Sequence, residues 1–240
     1  TGAYSEGIIG LTPNTNYSFY VQAACGGTAG NSVWVGPFNF TTPCVAYTIP
    51  YFEGFESGYT HNTAVAGCLP QESITGTNPW TANNTFTDYN RTPRTGNWNA
   101  FLRYSNEDWI FIPIELVGGT SYTVELYARQ DGAIAANSNM LISYGSSATS
   151  AAMTNAIVPS TGIINANYQQ IIGAFTPVTN GTYYVGIKGY MNGSPWYISL
   201  DDIKIDYETL KDFELFLLLF RSLDKNTLAK KSSMFFVNTD

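Results

Sequence analysis

Ile198-Ser199-Leu200-Asp201-Asp202-Ile203-Lys204-Ile205, near the end of the chain, and Phe55-Glu56-Ser57-Gly58, near its beginning, bracket a long segment of β character. In a two-sheet sandwich the opening and closing strands commonly lie side by side. Glu56, Asp201 and Asp202 are therefore expected to meet although they are far apart in sequence. Carboxylates so placed can share one cation, which points to a binding domain rather than an enzyme.

The composition agrees with that reading. At 240 residues, 44% hydrophobic and 12% charged, the chain can bury a sizeable core. Aromatic residues make up 15%, with 22 Gly and 11 Pro; with abundant Thr, Ser and Asn this is the balance of strands joined by tight polar turns. A formal charge of −7 offers no basic face to neutralise phosphates, so nucleic acid is excluded as a partner. Lys225, Lys230 and Lys231 form only a short cluster, read as a solvated tail. Excess carboxylate suits divalent cations outside the cell, although ordinary solubility explains most surface acids.

No apolar run reaches the roughly 18–20 residues of a membrane span. The longest, 213–220, is interrupted by Glu214. The chain opens at Thr1 without Met or an apolar leader, so any targeting signal is expected upstream, in a larger secreted protein. Three cysteines fit one bridge and one thiol whose partner lies elsewhere. A Cys44–Cys68 bridge would fasten the start of the main domain to its first long loop, leaving Cys25 for a partner upstream. Three reduced, buried thiols are the alternative.

Residues 1–43 read as strand, turn, strand. Tyr17-Ser18-Phe19-Tyr20-Val21-Gln22-Ala23 alternates with period two, and 33–40 reads as the returning strand. Leu11, Pro13 and Tyr17 have the spacing of a tyrosine corner. With Gly10-Leu11-Thr12-Pro13, Tyr17 and the closing Gly36-Pro37-Phe38-Asn39-Phe40-Thr41-Thr42, this piece resembles the last part of a fibronectin type III domain. Its earlier strands are absent, so it is expected to leave apolar surface bare.

Over 44–207 the clear strand candidates are 108–114, 121–129, 140–144, 168–175, 181–188 and 196–205. Gly118-Gly119-Thr120 and Asn180-Gly181-Thr182 mark turns between them. Helical periodicity is nearly absent and no long repeat occurs, which makes the fold class all-β and the architecture a jelly-roll-like β-sandwich. Residues 208–240 form a tail of different composition, without Pro or Gly.

The succession Phe55-Glu56-Ser57-Gly58, Cys68, Trp80, Asp108-Trp109-Ile110-Phe111-Ile112-Pro113, Gly119-Thr120-Ser121-Tyr122, Gly181-Thr182-Tyr183-Tyr184-Val185-Gly186 and Leu200-Asp201-Asp202-Ile203 resembles the cleaved-adhesin or choice-of-anchor (MAM-like) jelly rolls of secreted bacterial proteins. The resemblance departs at Leu69, where many relatives carry Trp. It implies a structural calcium held by Glu56, Asp201 and Asp202, and an adhesin-like module at the cell surface.

Chemistry for catalysis is sparse. His61, the only histidine, sits in the polar loop Tyr59-Thr60-His61-Asn62-Thr63, and one His with three scattered Cys lacks zinc-ligand spacing. Asp108 is expected to cap a turn at the head of an apolar strand, and Trp109 to be core. Trp98, Trp196 and Tyr190 lie beside turn residues and are the candidate platforms for a glycan, core packing being the usual fate of such rings. Arg91 and Arg94, in the 80–98 loop, are candidate contacts for an acidic partner, solvation being the commoner role. The expected function is non-enzymatic, extracellular binding of a glycan or protein through loops stabilised by calcium. The alternatives are an accessory domain of a secreted protease or polysaccharide hydrolase, and a structural spacer.

Overall fold

The computed structural model describes residues 7–24, 30–132, 138–193 and 196–208. Two compact units divide the chain, Thr1–Tyr207 and Glu208–Asp240. Beyond Glu208 the second lies outside the described residues, as do Cys25 and the tail lysines.

The first unit begins with β1 (Asn16–Val21) and β2 (Val35–Thr41), an antiparallel pair forming its own two-stranded sheet. The Thr12 N–H donates to the Tyr17 hydroxyl at 2.9 Å, so Tyr17 ties the turn before β1 in the manner of a tyrosine corner. Phe19 stacks on Phe38 with ring centroids 5.2 Å apart. Both rings remain exposed, together with Tyr20, Val21 and Val35.

Two larger antiparallel sheets follow. One has the order β10 (Asn155–Gly162), β9 (Ser138–Gly145), β12 (Gly181–Met191), β7 (Asn106–Leu116) and β4 (Gln71–Thr75). The other runs β11 (Gln169–Phe175), β8 (Tyr122–Gln130), β13 (Tyr197–Tyr207), β6 (Asn99–Arg103) and β5 (Thr81–Asn83), with β3 (Tyr51–Glu53) also on β13. The opening strand thus pairs with the closing one, Glu53 opposite Ile203. Cys44 and Cys68 are joined by a disulfide with their Cα atoms 5.5 Å apart.

Period-two burial explains the layering. In β8, Tyr122, Val124, Leu126 and Ala128 are buried and alternate with half-buried neighbours. They join a core with Ile110, Ile112 and Ile114 of β7 and Val185 and Ile187 of β12. β7 departs from the alternation because its outer face is covered too. Trp109 stacks on Phe111 at 5.8 Å and 7°, and a Cβ on Gly186 of the neighbouring strand would meet both the Trp109 ring and Met153 Sδ. Trp109 is therefore buried, but outside the main core.

Asp108 proves to be no turn cap. Fully buried within β7, it accepts from Ser73 Oγ of β4 at 2.5 Å, and its backbone carbonyl accepts from Trp80 Nε1 at 3.1 Å. Burial pushes its carboxyl above the usual range.

Strand β13 changes parity part-way. Ile198 and Leu200 are buried in the core, and so are Ile203 and Ile205, which requires one extra residue between the two pairs. That residue is accommodated by a bulge against β8 between Asp201 and Lys204, with Asp202 at φ 49°. Adjacent strand residues ordinarily face opposite sides. Here the bulge turns both acids toward one loop.

Candidate functional site

That loop is the 84–98 crossing between β5 and β6, and the expected acids grip it from two sides. Asp201 Oδ2 accepts from the backbone N–H of Arg94 at 2.7 Å and of Thr95 at 3.3 Å, while Oδ1 accepts from the N–H of Asp202 at 2.8 Å. Asp202 accepts from Arg94 Nη1 at 2.6 Å through Oδ2 and from Thr95 Oγ1 at 2.6 Å through Oδ1. Glu56 accepts from Asn97 N–H at 3.0 Å and Trp98 N–H at 3.1 Å. A Cβ on Gly96, which has φ 60°, would lie 2.0 Å from Glu56 Oε1, so glycine is required for the carboxylate to seat.

Every carboxylate oxygen of Glu56, Asp201 and Asp202 thus already accepts a hydrogen, and the positive charge beside Asp202 is the Arg94 guanidinium. Among the described residues, no group of three or more His, Cys, Asp or Glu side chains is arranged to hold a metal ion. In this arrangement the three acids clamp the loop. Burial pushes the Asp201 carboxyl up to about 7, against the opposing pull of its backbone N–H donors.

Glu53, which the sequence reading did not single out, is a half-buried acid next to this clamp. It accepts from the Tyr59 hydroxyl at 2.8 Å and the Phe55 N–H at 2.5 Å, and burial raises its carboxyl.

The clamped loop carries an aromatic cluster onto the outer side of β6 and β13. Arg91 Cζ lies 4.4 Å from the centroid of Phe86, 4.2 Å from Tyr197 and 5.1 Å from Phe101. Its Nε donates to the Asp88 carbonyl at 3.0 Å, closing a short turn. Beside this cluster opens a cleft of about 560 Å³, lined by Asn62, Ala64, Asn78, Pro79, Thr81, Phe86, Arg91, Phe101, Arg103 and Tyr197. The volume is that of a small-ligand site. Polar amides and hydroxyls lie beside aromatic surface, and among the described residues no carboxylate lines the cleft. His61 borders it, its ring 4.5 Å from Phe86 and its Nδ1 accepting from the Asn84 N–H at 3.3 Å.

The three rings expected as a platform are dispersed. Trp98 is half-buried against the core. Trp196 is 42% exposed and meets Tyr104 edge-on at 4.8 Å. Tyr190 lines a separate cleft of about 250 Å³ on the other sheet, with the Lys188–Glu107 ion pair. None of them lines the larger cleft. Of the loop arginines, Arg94 is taken by Asp202 while Arg91 reaches the cleft. Phe86, Phe101 and Tyr197 were missed because they come from one loop and two strands. The only local signal was Tyr197 at the head of an expected strand.

No family model matches the sequence, and no curated protein matches it. Among solved structures, the chain is similar to the K1 cleaved adhesin domain of Lys-gingipain from Porphyromonas gingivalis, with a TM-score of 0.53 and 15% identity over 67% of this chain and 99% of that one. It has that domain's β-sandwich fold. The K2 cleaved adhesin domain of Lys-gingipain aligns at a TM-score of 0.49 and 16% identity, over 65% of this chain and 97% of that one. A carbohydrate-binding module, TmCBM61 in complex with beta-1,4-galactotriose, aligns at 0.44 and 10%, over 58% and 89% respectively. At these identities the likeness is one of fold. No helix among the described residues is long and apolar enough to cross a membrane.

Proposed function

We propose that this chain is a non-enzymatic extracellular binding module that takes a glycan in the cleft between the 84–98 loop and strands β6 and β13. The observation that carries the reading is the lining: Phe86, Phe101 and Tyr197 beside Asn62, Asn78, Thr81 and two arginines. The C–H face of a sugar stacks on aromatic rings while its hydroxyls exchange hydrogen bonds with amides and hydroxyls, so both halves of the ligand find partners. Glu56, Asp201 and Asp202 pre-organise the site by fixing its loop before ligand arrives, which lowers the ordering cost of binding. The Cys44–Cys68 disulfide supports an oxidising, extracellular setting.

Affinity electrophoresis on a panel of plant, algal and bacterial polysaccharides tests the site. Tyr197→Ala is expected to weaken the best-bound polysaccharide by about tenfold or more, and Trp196→Ala by less than about twofold. A loss confined to Trp98→Ala, Trp196→Ala or Tyr190→Ala would move the platform to that ring. Binding of no polysaccharide would overturn the glycan reading.

In this proposal Arg94 supplies the charge that the resemblance assigns to calcium. The melting temperature is accordingly expected to agree within about 1 °C in millimolar calcium and in excess EDTA, since a ligand stabilises only by binding the folded form. A rise of several degrees with calcium, lost in Asp202→Asn, would instead return a metal to the Glu56, Asp201 and Asp202 cluster.

A further inference from the structure

We propose that the ligand of this cleft is anionic, a sugar bearing a carboxylate or a sulfate ester, held by Arg91 and Arg103. The inference rests on the reading of the cleft as a glycan site and names the class of glycan.

It begins with the fate of the basic residues. Arg94, Lys188 and Lys204 are each in an ion pair. Arg91, Arg103 and Arg129 are in none among the described residues, and two of these three line the same cleft. Arg129 is engaged elsewhere, its Nη2 donating to the Thr92 carbonyl at 2.7 Å. In a chain of net charge −7, two unpaired guanidiniums in one cleft without a lining carboxylate form a local reversal of sign.

Arg91 is the more telling of the two. The residue is only 7% exposed, and among the described residues its side chain makes one hydrogen bond, from Nε to the Asp88 carbonyl, its two terminal nitrogens having no hydrogen-bond partner there. Rings at 4.2 and 4.4 Å favour the cation without neutralising it. The terminal N–H groups therefore face the open cleft, where an entering anion can accept from both. The paired terminal N–H groups of a guanidinium match two oxygens of a carboxylate or sulfate. Arg103 is exposed on β6, with Nη2 donating to the Tyr104 hydroxyl at 3.1 Å, and adds a second donor at the cleft. Aromatic rings in the lining favour a sugar over an acidic peptide, because a peptide of acidic side chains has little apolar face to stack.

Titration of the whole chain with matched polymers tests this. The probes are polygalacturonate and its fully methyl-esterified form, chondroitin 4-sulfate and unsulfated chondroitin, neutral galactan, and poly-L-glutamate. The expected result is binding of polygalacturonate or chondroitin 4-sulfate, weakened about tenfold by esterification or desulfation respectively. Arg103→Gln, at an exposed position, is expected to weaken it about five- to tenfold with an unchanged melting curve. Arg91→Lys keeps the charge, loses the fork and is expected to weaken it similarly. Because chondroitin 4-sulfate carries glucuronate as well as sulfate, loss of its binding on desulfation marks sulfate, whereas equal binding of unsulfated chondroitin together with loss on esterification of polygalacturonate marks uronate. If neutral galactan binds, with sensitivity to Tyr197→Ala but none to Arg103→Gln, the anionic class is overturned while the glycan cleft stands. Binding of poly-L-glutamate as tight as that of any polysaccharide overturns the sugar. Silence from every polymer overturns both readings.

Discussion

Asp201→Ala is expected to destabilise the fold by roughly 3 kcal/mol near pH 5, because the backbone N–H groups of Arg94, Thr95 and Asp202 lose their acceptor together. For a protein of this size that is a fall of about 6–12 °C in melting temperature. The deficit should narrow toward pH 8. Burial holds the Asp201 carboxyl up at about 7, well above its value of about 4 in an unfolded chain. The folded state therefore binds the proton more tightly, and the stability this confers is complete below pH about 4 and lost as pH climbs to about 7. Glu53 and Asp108, whose carboxyls burial also raises, act with the same sign. The wild-type chain should melt higher at pH 5 than at pH 8, and Asp201→Ala should show a shallower slope. A melting difference below about 2 °C at pH 5 would remove Asp201 from the clamp, and an equal gap at both pH values would mean that its carboxyl is not raised.

Trp80→Ala is expected to cost about 3–5 kcal/mol, the range for deleting a large buried aromatic side chain. Trp80 is fully buried at the head of β5, and its Nε1 donates to the Asp108 carbonyl across to β7. Both sheets are therefore affected. A companion substitution identifies packing as the cause. A Cβ on Gly189 of β12 would stand 2.4 Å from Trp80 Cζ2 and 2.9 Å from Leu102 Cδ2. Gly189→Ala should destabilise the wild-type chain, yet cost less or even stabilise in the Trp80→Ala background, where the ring has gone. Urea unfolding of the four proteins reads this coupling. Simple additivity of the two changes would mean that the Gly189 and Trp80 sites do not share space.

Ligand binding should respond to these two changes differently from stability. Thr81, adjacent to Trp80, lines the cleft, so a shift of β5 displaces one wall. Asp201 acts on the other wall through the loop that bears Phe86 and Arg91. At temperatures where both variants stay folded, loss of the clamp should therefore weaken binding by letting the loop wander, even though Asp201 touches no ligand.

The long strands were legible because burying one face of a sheet imprints period two on the chain, as in β8, and the tyrosine corner was legible because its partners are five residues apart. Several shorter strands were not. β3 and β5 span three residues each, too few for a period to show, and β6 follows Gly96-Asn97-Trp98, which reads as a turn. β10 is a largely exposed edge strand and carries little apolar pattern. The parity change in Ile198-Ser199-Leu200-Asp201-Asp202-Ile203-Lys204-Ile205 was there to be read, and it marks the bulge that the doublet of acids alone did not reveal.

By itself the sequence determined the β class, since alternation and turn chemistry act between near neighbours. Only the tertiary structure decided what the acids do and where aromatic surface opens. The bulge in β13 directs Asp201 and Asp202 at Arg94 and Thr95, residues more than a hundred positions away. The cleft exists because Phe86, Arg91, Phe101 and Tyr197 arrive from separate elements. Which face of a strand meets solvent depends on what packs above it, and that is a property of the assembled sheets, written in no local stretch.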